Sequence, residues 1–279
     1  VADAEKGTLY VVATPIGNLG DITLRALEVL QRVPLVAAED TRMTRRLWAR
    51  HGIETRLISY HAQSPPAREL ELVAHLSEGR DLALVTDAGT PLVSDPGEGL
   101  VSAWIGRGGR VVPIPGASAV LAALVASGLP SARWTFCGFL ARRGRERREQ
   151  IERIASNEHT SVVFEAPGRA AATLADLAAR CGRDRRAALC RELTKLHEDI
   201  WRGGLGELAD RAVSEPPRGE ITIVVSEATP SVQTPVIGID EGRMAVDKLV
   251  ADGWTRSSAA REVAQRTGLS RRELFTSDE

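Results

Sequence analysis

Cysteine, lysine and long apolar runs are what this chain of 279 residues is short of. Its three cysteines, Cys137, Cys181 and Cys190, are an odd number with no C-x-x-C pair and no metal-ligand spacing. That argues against a disulfide scaffold and fits a reducing, cytoplasmic setting. The five histidines (His51, His61, His75, His159 and His197) contain no H-x-x-x-H pair, so neither a zinc hydrolase nor any other metal site is expected. No apolar stretch approaches the roughly 18 residues of a membrane span. Residues 1–6 carry no signal-peptide pattern, and no membrane contact is expected. Lysine occurs only as Lys6, Lys195 and Lys248 against 33 arginines, and 36 cations against 37 anions leave a net charge of -1. The whole molecule is therefore not a basic nucleic-acid glove, although arginine is the planar, bidentate donor suited to phosphate.

What is present is an ordinary globular composition, 43% hydrophobic and 26% charged, in a length that suggests about two domains at roughly 150 residues each. Apolar strand-like runs alternate with helical patterns. Thr8–Thr14 reads as a buried strand, Asp21–Arg32 as a helix, Leu35–Ala38 as a strand, and Thr41 to about His51 as an arginine-rich helix. A strand near Arg56–Ser59, a helix Pro66–Glu78, a strand Leu82–Thr86, a helix Gly97–Arg107 and a strand Arg110–Ile114 follow. Continuous hydrophobicity in these strands implies a mostly parallel sheet covered on both faces. The fold class is thus α/β, with a first domain over 7–116 and a second over 117–228. The second has strand candidates Trp134–Phe139, Thr160–Glu165, Ala187–Arg191 and Glu220–Ser226, and helices near Ser118–Ser127, Arg145–Ser156, Arg169–Cys181 and Leu205–Val213. Glu227–Thr234 reads as a linker. A small helix-turn-helix-like tail over 236–279 has helical patterns at Glu241–Ala251, Ser257–Thr267 and Ser270–Phe275, with Ser257 as a candidate N-cap.

Three turns carry the chemistry. Ala13–Gly20 (ATPIGNLG) joins the first strand to a helix, with Glu39 and Asp40 about 20 residues on. A dinucleotide site is tempting there, but the turn is G-x-x-G with Pro15 inside it, and no G-K-[ST] exists anywhere. Thr86–Gly97 (TDAGTPLVSDPG) places two Asp, two Thr, a Ser and two Gly directly after a buried strand, where open α/β sheets hold ligands. Pro113–Ala119 (PIPGASA) is a third turn, made of small residues that leave room for a flat ligand.

In this order, ATPIGNLGDIT (Ala13–Thr23), AEDTR (Ala38–Arg42), DAGTPLVSDPG (Asp87–Gly97), PGASA (Pro115–Ala119), FEAPGR (Phe164–Arg169), RELTKLHE (Arg191–Glu198) and RGE (Arg218–Glu220) closely resemble the ribosomal RNA small subunit methyltransferase I family of the tetrapyrrole methylase superfamily. The likeness runs from about Gly7 to Ala228. One departure is Gly168, where the family often carries histidine. The resemblance implies two α/β domains with S-adenosylmethionine in the cleft between them, a homodimer, and methylation of the ribose 2′-oxygen of a cytidine in small-subunit (16S) ribosomal RNA. The cofactor positions it implies are Ile16, Thr90, Val93, Ser118, Ala119, Phe164, Glu165, Leu193, Thr194, Glu220 and Thr222. Residue chemistry adds Asp87 and Gly89, because the donor needs acceptors for an ammonium and a ribose diol but no phosphate cradle.

The sulfonium leaves as a neutral thioether, so the remaining tasks are in-line placement and removal of a hydroxyl proton. Asp40, Glu39, Asp95 and Glu198 are candidate bases, with Lys195 an alternative if burial depresses its pKa. An ion pair of Asp40 with Arg42 or Arg45, and a helical surface pair of Lys195 with Glu198, are the competing readings. RNA contact is expected through Arg42, Arg45 and Arg46 and through the dense run Arg142, Arg143, Arg145, Arg147 and Arg148. The same cofactor fold could instead serve a tetrapyrrole or protein substrate, or persist in a non-catalytic RNA-binding assembly factor.

Overall fold

The computed structural model describes residues 6–228, 238–267 and 269–275, apart from the side chains of Gln265 and Arg266. Most of the expected linker, from residue 229 onward, lies outside these residues, as do the first two residues of the expected tail. The chain divides into two compact units, residues 1–227 and 228–279.

The first unit opens with the βα alternation anticipated from hydrophobicity. β1 (Thr8–Val12), α1 (Leu24–Arg32), β2 (Val36–Ala38), α2 (Thr41–His51), β3 (Leu57–Ser59), α3 (Pro66–Ser77), β4 (Leu82–Val85), α4 (Glu98–Gly106) and β5 (Arg110–Ile114) follow one another. The sheet order is β3-β2-β4-β1-β5, and every pairing in it is parallel. β4 illustrates why its residues read as one apolar run. Leu82 and Leu84 pack with Leu72, Leu76, Leu100 and Trp104 on one face. Ala83 and Val85 meet Val29, Leu30 and Trp48 on the other. Asp21 belongs to a separate 3-10 turn (Leu19–Asp21), and α1 begins after Thr23, whose hydroxyl accepts a bond from the Ala26 N–H at 3.1 Å.

From β1 the chain crosses to β2 on one side, and from β4 it crosses to β5 on the other. The loops after β1 and β4 therefore diverge at the carboxyl ends of adjacent strands, the position where open α/β sheets leave a crevice. α5 (Ala119–Ser127) leads into a second sheet made by β6 (Trp134–Phe139), β7 (Thr160–Glu165), β8 (Arg186–Arg191), β9 (Asp199–Gly204) and β10 (Ile221–Val225), in the order β6-β7-β10-β8-β9. Only β6–β7 is parallel. α6 (Gly144–Ser156), α7 (Ala170–Cys181) and α8 (Leu205–Ser214) cover one face. α5 covers the other through Val120, Ala123 and Leu124, where Ile16 from the loop after β1 joins the same apolar cluster.

Two further details of this unit differ from the sequence reading. β9 was not anticipated: an edge strand needs only alternate burial, and in DIWRGG that comes down to Trp201, 5% exposed. Leu193–Glu198 is a run of turns rather than the helix a Lys195/Glu198 pair would require.

The second unit holds α9 (Ile239–Ala251), α10 (Arg256–Thr267) and α11 (Arg271–Phe275) around Val246, Ala259, Ala260, Val263 and Leu274. α10 starts one residue before the expected cap at Ser257. Thr255 does the capping instead, its hydroxyl accepting a bond from the Ser258 N–H at 3.3 Å.

Candidate active site

The three turns singled out in the sequence meet at the carboxyl end of the first sheet. Thr14 and Gly89 pair through two backbone bonds, Thr14 N–H to Gly89 O at 2.8 Å and Gly89 N–H to Thr14 O at 3.1 Å, which clamps the loop after β1 to the loop after β4. Gly89 sits at φ +80°, a region open to glycine at little cost. Behind it, the turn after β5 comes so close that a Cβ at Gly116 would stand 3.0 Å from that of Ala13. Ser118 then caps α5, its hydroxyl accepting the Leu121 N–H at 3.4 Å.

Together these turns and the edge of the second sheet enclose a cavity of about 400 Å³, within the range typical of small-molecule sites. Ile16, Gly89, Thr90, Val93, Ser118 and Ala119 line it from the first side. Phe164, Glu165, Leu193, Glu220 and Thr222 line it from the second. The cavity also has walls that the sequence reading missed, among them Phe139, Pro167 and Cys190. Phe139 arrives through a β-bulge: the β6–β7 register shifts between Phe136 and Gly138, and Gly138 takes φ +63°. The extra residue reverses the alternation, so Phe136 and Phe139 both reach the Phe164 ring, at centroid distances of 4.9 and 5.6 Å. A glycine inside a strand pattern was the available signal.

Residues 8–209 match the family model for Tetrapyrrole (Corrin/Porphyrin) Methylases. The chain belongs to the tetrapyrrole methylase family. It is 46% identical over 269 residues, 96% of each chain, to a protein of Synechocystis sp. named ribosomal RNA small subunit methyltransferase I, which places it in that branch. Among solved structures, it resembles a cobalt precorrin-4 methyltransferase of cobalamin biosynthesis (TM-score 0.61, 19% identity, 78% of this chain and 94% of that one). It also resembles a uroporphyrin-III C-methyltransferase from Thermus thermophilus, solved with S-adenosyl homocysteine (TM-score 0.55, 21% identity, 78% and 97%). At these identities the two structures speak for the fold.

Several residues expected at the site of this tetrapyrrole methylase have other partners. Asp40 does not line the cavity. It caps α2, accepting the Arg42 N–H at 2.8 Å, and its carboxylate pairs with the Arg42 guanidinium at 2.7 Å. Those bonds hold it down at about 2, which makes it a poor proton acceptor. Asp87 also faces away, accepting the Asp40 N–H at 2.9 Å. Thr194 and Glu198 brace a loop: the Thr194 N–H donates to the Glu198 carboxylate at 2.7 Å, and the Thr194 hydroxyl accepts from the Asn18 N–H at 3.1 Å. Lys195 bonds Glu192 at 2.9 Å and Glu220 at 3.1 Å. Burial pulls its ammonium down, but these two carboxylates outweigh it and leave the pKa above the ordinary value, against a role as neutral base. Glu165 lines the cavity, yet its carboxylate, 0% exposed, is held by the Thr173 hydroxyl at 2.5 Å, the Ala166 N–H at 2.8 Å and Arg169 at 3.2 Å.

Asp95, weighed as a base in the sequence, does line the cavity. Burial pushes it up to about 6, and the nearby carboxylates of Glu39 and Asp87 add to the shift. Of the arginines, Arg42, Arg45, Arg46, Arg142, Arg143, Arg145 and Arg148 are exposed, with Arg145 paired to Glu149 at 2.6 Å. Arg147 is the correction. It is 9% exposed, bound to Asp176, Thr173 and the Ala141 carbonyl, and turned away from any phosphate. Arg145 and Arg148 face solvent because α6 turns only one face inward, and Arg142 and Arg143 precede the helix.

Proposed function

We propose that this chain transfers a methyl group from S-adenosylmethionine to the ribose 2′-oxygen of a cytidine in small-subunit (16S) ribosomal RNA. The observation that carries the reading is the near full-length likeness to a protein bearing that family's name, joined to a cavity formed by the turns that carry the resemblance. The fit is chemical as well. Ile16, Val93, Val120, Phe164 and Leu193 make an apolar slot for a nucleoside, while the glycine and small-residue turns expose backbone donors and acceptors and no phosphate cradle.

S-adenosylmethionine supplies an activated methyl group whose leaving group is a neutral thioether, so the chain has no leaving-group acid to provide. Its share is placement, worth roughly 7–11 kcal/mol when reacting groups are held in line, and proton removal, worth about 10²–10⁴-fold. The clamp between Thr14 and Gly89 and the cap at Ser118 fix the walls that would do the placing. Asp40, Lys195 and Glu198 act here by ordering loops. The exposed arginines Arg42, Arg45, Arg46, Arg142, Arg143, Arg145 and Arg148 offer the phosphate contacts of the RNA. On this reading the enzyme works in the cytoplasm beside its ribosomal substrate, as a homodimer. Among the described residues no helix is long and apolar enough to cross a membrane.

Tritiated methyl transfer to undermethylated 30S subunits, naked ribosomal RNA and a tetrapyrrole precursor tests the proposal. Mass spectrometry of RNA from a strain lacking the protein locates the missing group. Label in the tetrapyrrole alone, or an unchanged RNA methylation map, overturns it. Failure to bind S-adenosyl homocysteine at all makes the chain an assembly factor instead.

A further inference from the structure

A second cavity of about 310 Å³ opens beside the first. It lies between the segment after β3 and the start of α4, and its walls include Tyr60, His61, Glu69, Pro96 and Glu98. Among the described residues Asp95 is the one that lines both cavities, so it stands in the wall between them. Tyr60 is buried, 7% exposed, and its hydroxyl donates to the Glu69 carboxylate at 3.1 Å. Burial together with that carboxylate pushes the Tyr60 pKa up to about 12, which keeps it a donor. Gly99 lets the arrangement close, because a Cβ there would collide with the Glu69 carboxylate. With the carboxylates of Glu69, Asp95 and Glu98 around it, the cavity repels phosphate and offers acceptors to a neutral group rich in N–H donors.

We propose that this second cavity receives the base of the acceptor nucleotide, and that Asp95 in the shared wall takes the proton from its ribose hydroxyl. The inference rests on the methyl-transfer reading above. A base carrying an exocyclic amine suits the pocket, since carboxylates accept from the cytosine amino group, whereas the carbonyl that replaces it in uracil would face them as a second acceptor. In the reaction the ribose oxygen forms its bond to the methyl carbon as the carbon–sulfur bond breaks. The electron pair of that bond stays on sulfur, which becomes the neutral thioether, and the hydroxyl proton passes to the Asp95 carboxylate and then to water. Asp95 must be ionised to do this.

The test uses the full-length enzyme and reconstituted 30S subunits carrying either cytidine or uridine at the methylated position. Wild-type enzyme is expected to prefer cytidine at least tenfold in kcat/KM, and Glu69→Gln to narrow that preference through KM with kcat little changed. Asp95→Asn is expected to lower kcat at least 10²-fold, in line with the loss of a general base. Its affinity for S-adenosyl homocysteine, read by calorimetry, stays within threefold. Asp95→Glu restores part of the rate, and the wild-type kcat rises with pH through about 6. Equal use of cytidine and uridine, or an Asp95→Asn rate within tenfold of wild type, overturns the assignment. Absence of any wild-type transfer to RNA overturns the RNA reading itself, a result distinct from these.

Discussion

Arg147→Met separates an arginine that holds the fold from those that could hold RNA. In the native chain the guanidinium makes two bonds to Asp176, at 2.7 and 3.0 Å, one to the Thr173 hydroxyl at 3.0 Å and one to the Ala141 carbonyl at 3.2 Å. Breaking a fully buried pair from one side costs about 3–5 kcal/mol, but the Asp176 side chain is 50% exposed and rehydrates. Thr173 keeps its bond to Glu165, the Ala141 carbonyl keeps Arg169 at 3.2 Å, and methionine preserves the aliphatic packing. The net loss is then about 2 kcal/mol, a drop in midpoint of roughly 4–8 °C for a unit of this size. Thermal unfolding reads the stability, and RNA binding across a salt series reads the charge. The salt slope should not move, whereas removing Arg142 or Arg143 should lower its magnitude by up to about 0.7 for each phosphate left without its cation. An Arg147→Met protein of unchanged midpoint and shallower salt slope would refute the structural assignment.

The remaining predictions concern the cavity and its acidic edge. Gly89→Ala forces a Cβ into φ +80°, costing about 1–2 kcal/mol of stability; it should weaken S-adenosyl homocysteine binding about tenfold, and unchanged calorimetric affinity would remove Gly89 from the site. Asp40→Asn keeps a capping oxygen and should leave methyl transfer within tenfold of wild type, so a hundredfold loss would return Asp40 to the reaction. Asp95 has a folded-state pKa of about 6 against an ordinary 3.8, so the native chain holds the extra proton between those values and loses stability as pH rises through them. Asp95→Asn should therefore be more stable than wild type at pH 7 by roughly 1–2 kcal/mol, discounting the two-unit shift for partial exposure, and no more stable near pH 3. Urea midpoints that differ equally at both pH values would contradict the linkage.

The parallel sheet was readable because its strands are mostly continuous apolar runs, and β4, buried at all four positions, shows the cause in its two covered faces. The three turns were readable as ligand loops because glycine and proline punctuate them directly after strands. What the sequence could not convey was partnership across the fold. Asp40 and Asp87 are 47 residues apart, so the acidic residues of the two loops could be suspected of chemistry but not seen to order one another. The run from Arg142 to Arg148 looks uniform in one dimension, and only the pitch of α6 turns Arg147 inward. Phe139 is hidden for a similar reason. Simple alternation places it opposite Phe136, and a single extra residue reverses that.

The polar residues of the RELTKLHE segment find their explanation in backbone strain. Among the described residues, the four non-glycine positions with positive φ are Leu92, Ser94, Glu192 and Thr194. All four lie in the two loops that border the first cavity from opposite sides. Such conformations cost of order 1–3 kcal/mol each and persist only where their surroundings over-determine them. At Thr194 and Glu192 the surroundings include two residues that first looked catalytic, Glu198 and Lys195. Glu198 and Asn18 grip Thr194, and Lys195 and the Glu220 N–H grip the Glu192 carboxylate. Glycine at Gly219 leaves the space that the Glu192 side chain fills. A reaction whose leaving group needs no acid puts its demand on the position of the acceptor and donor, and a position is held by rigid loops. Most of the charged groups in these motifs therefore serve as braces, and Asp95 is the one whose place between two cavities suits it to touch the reacting oxygen.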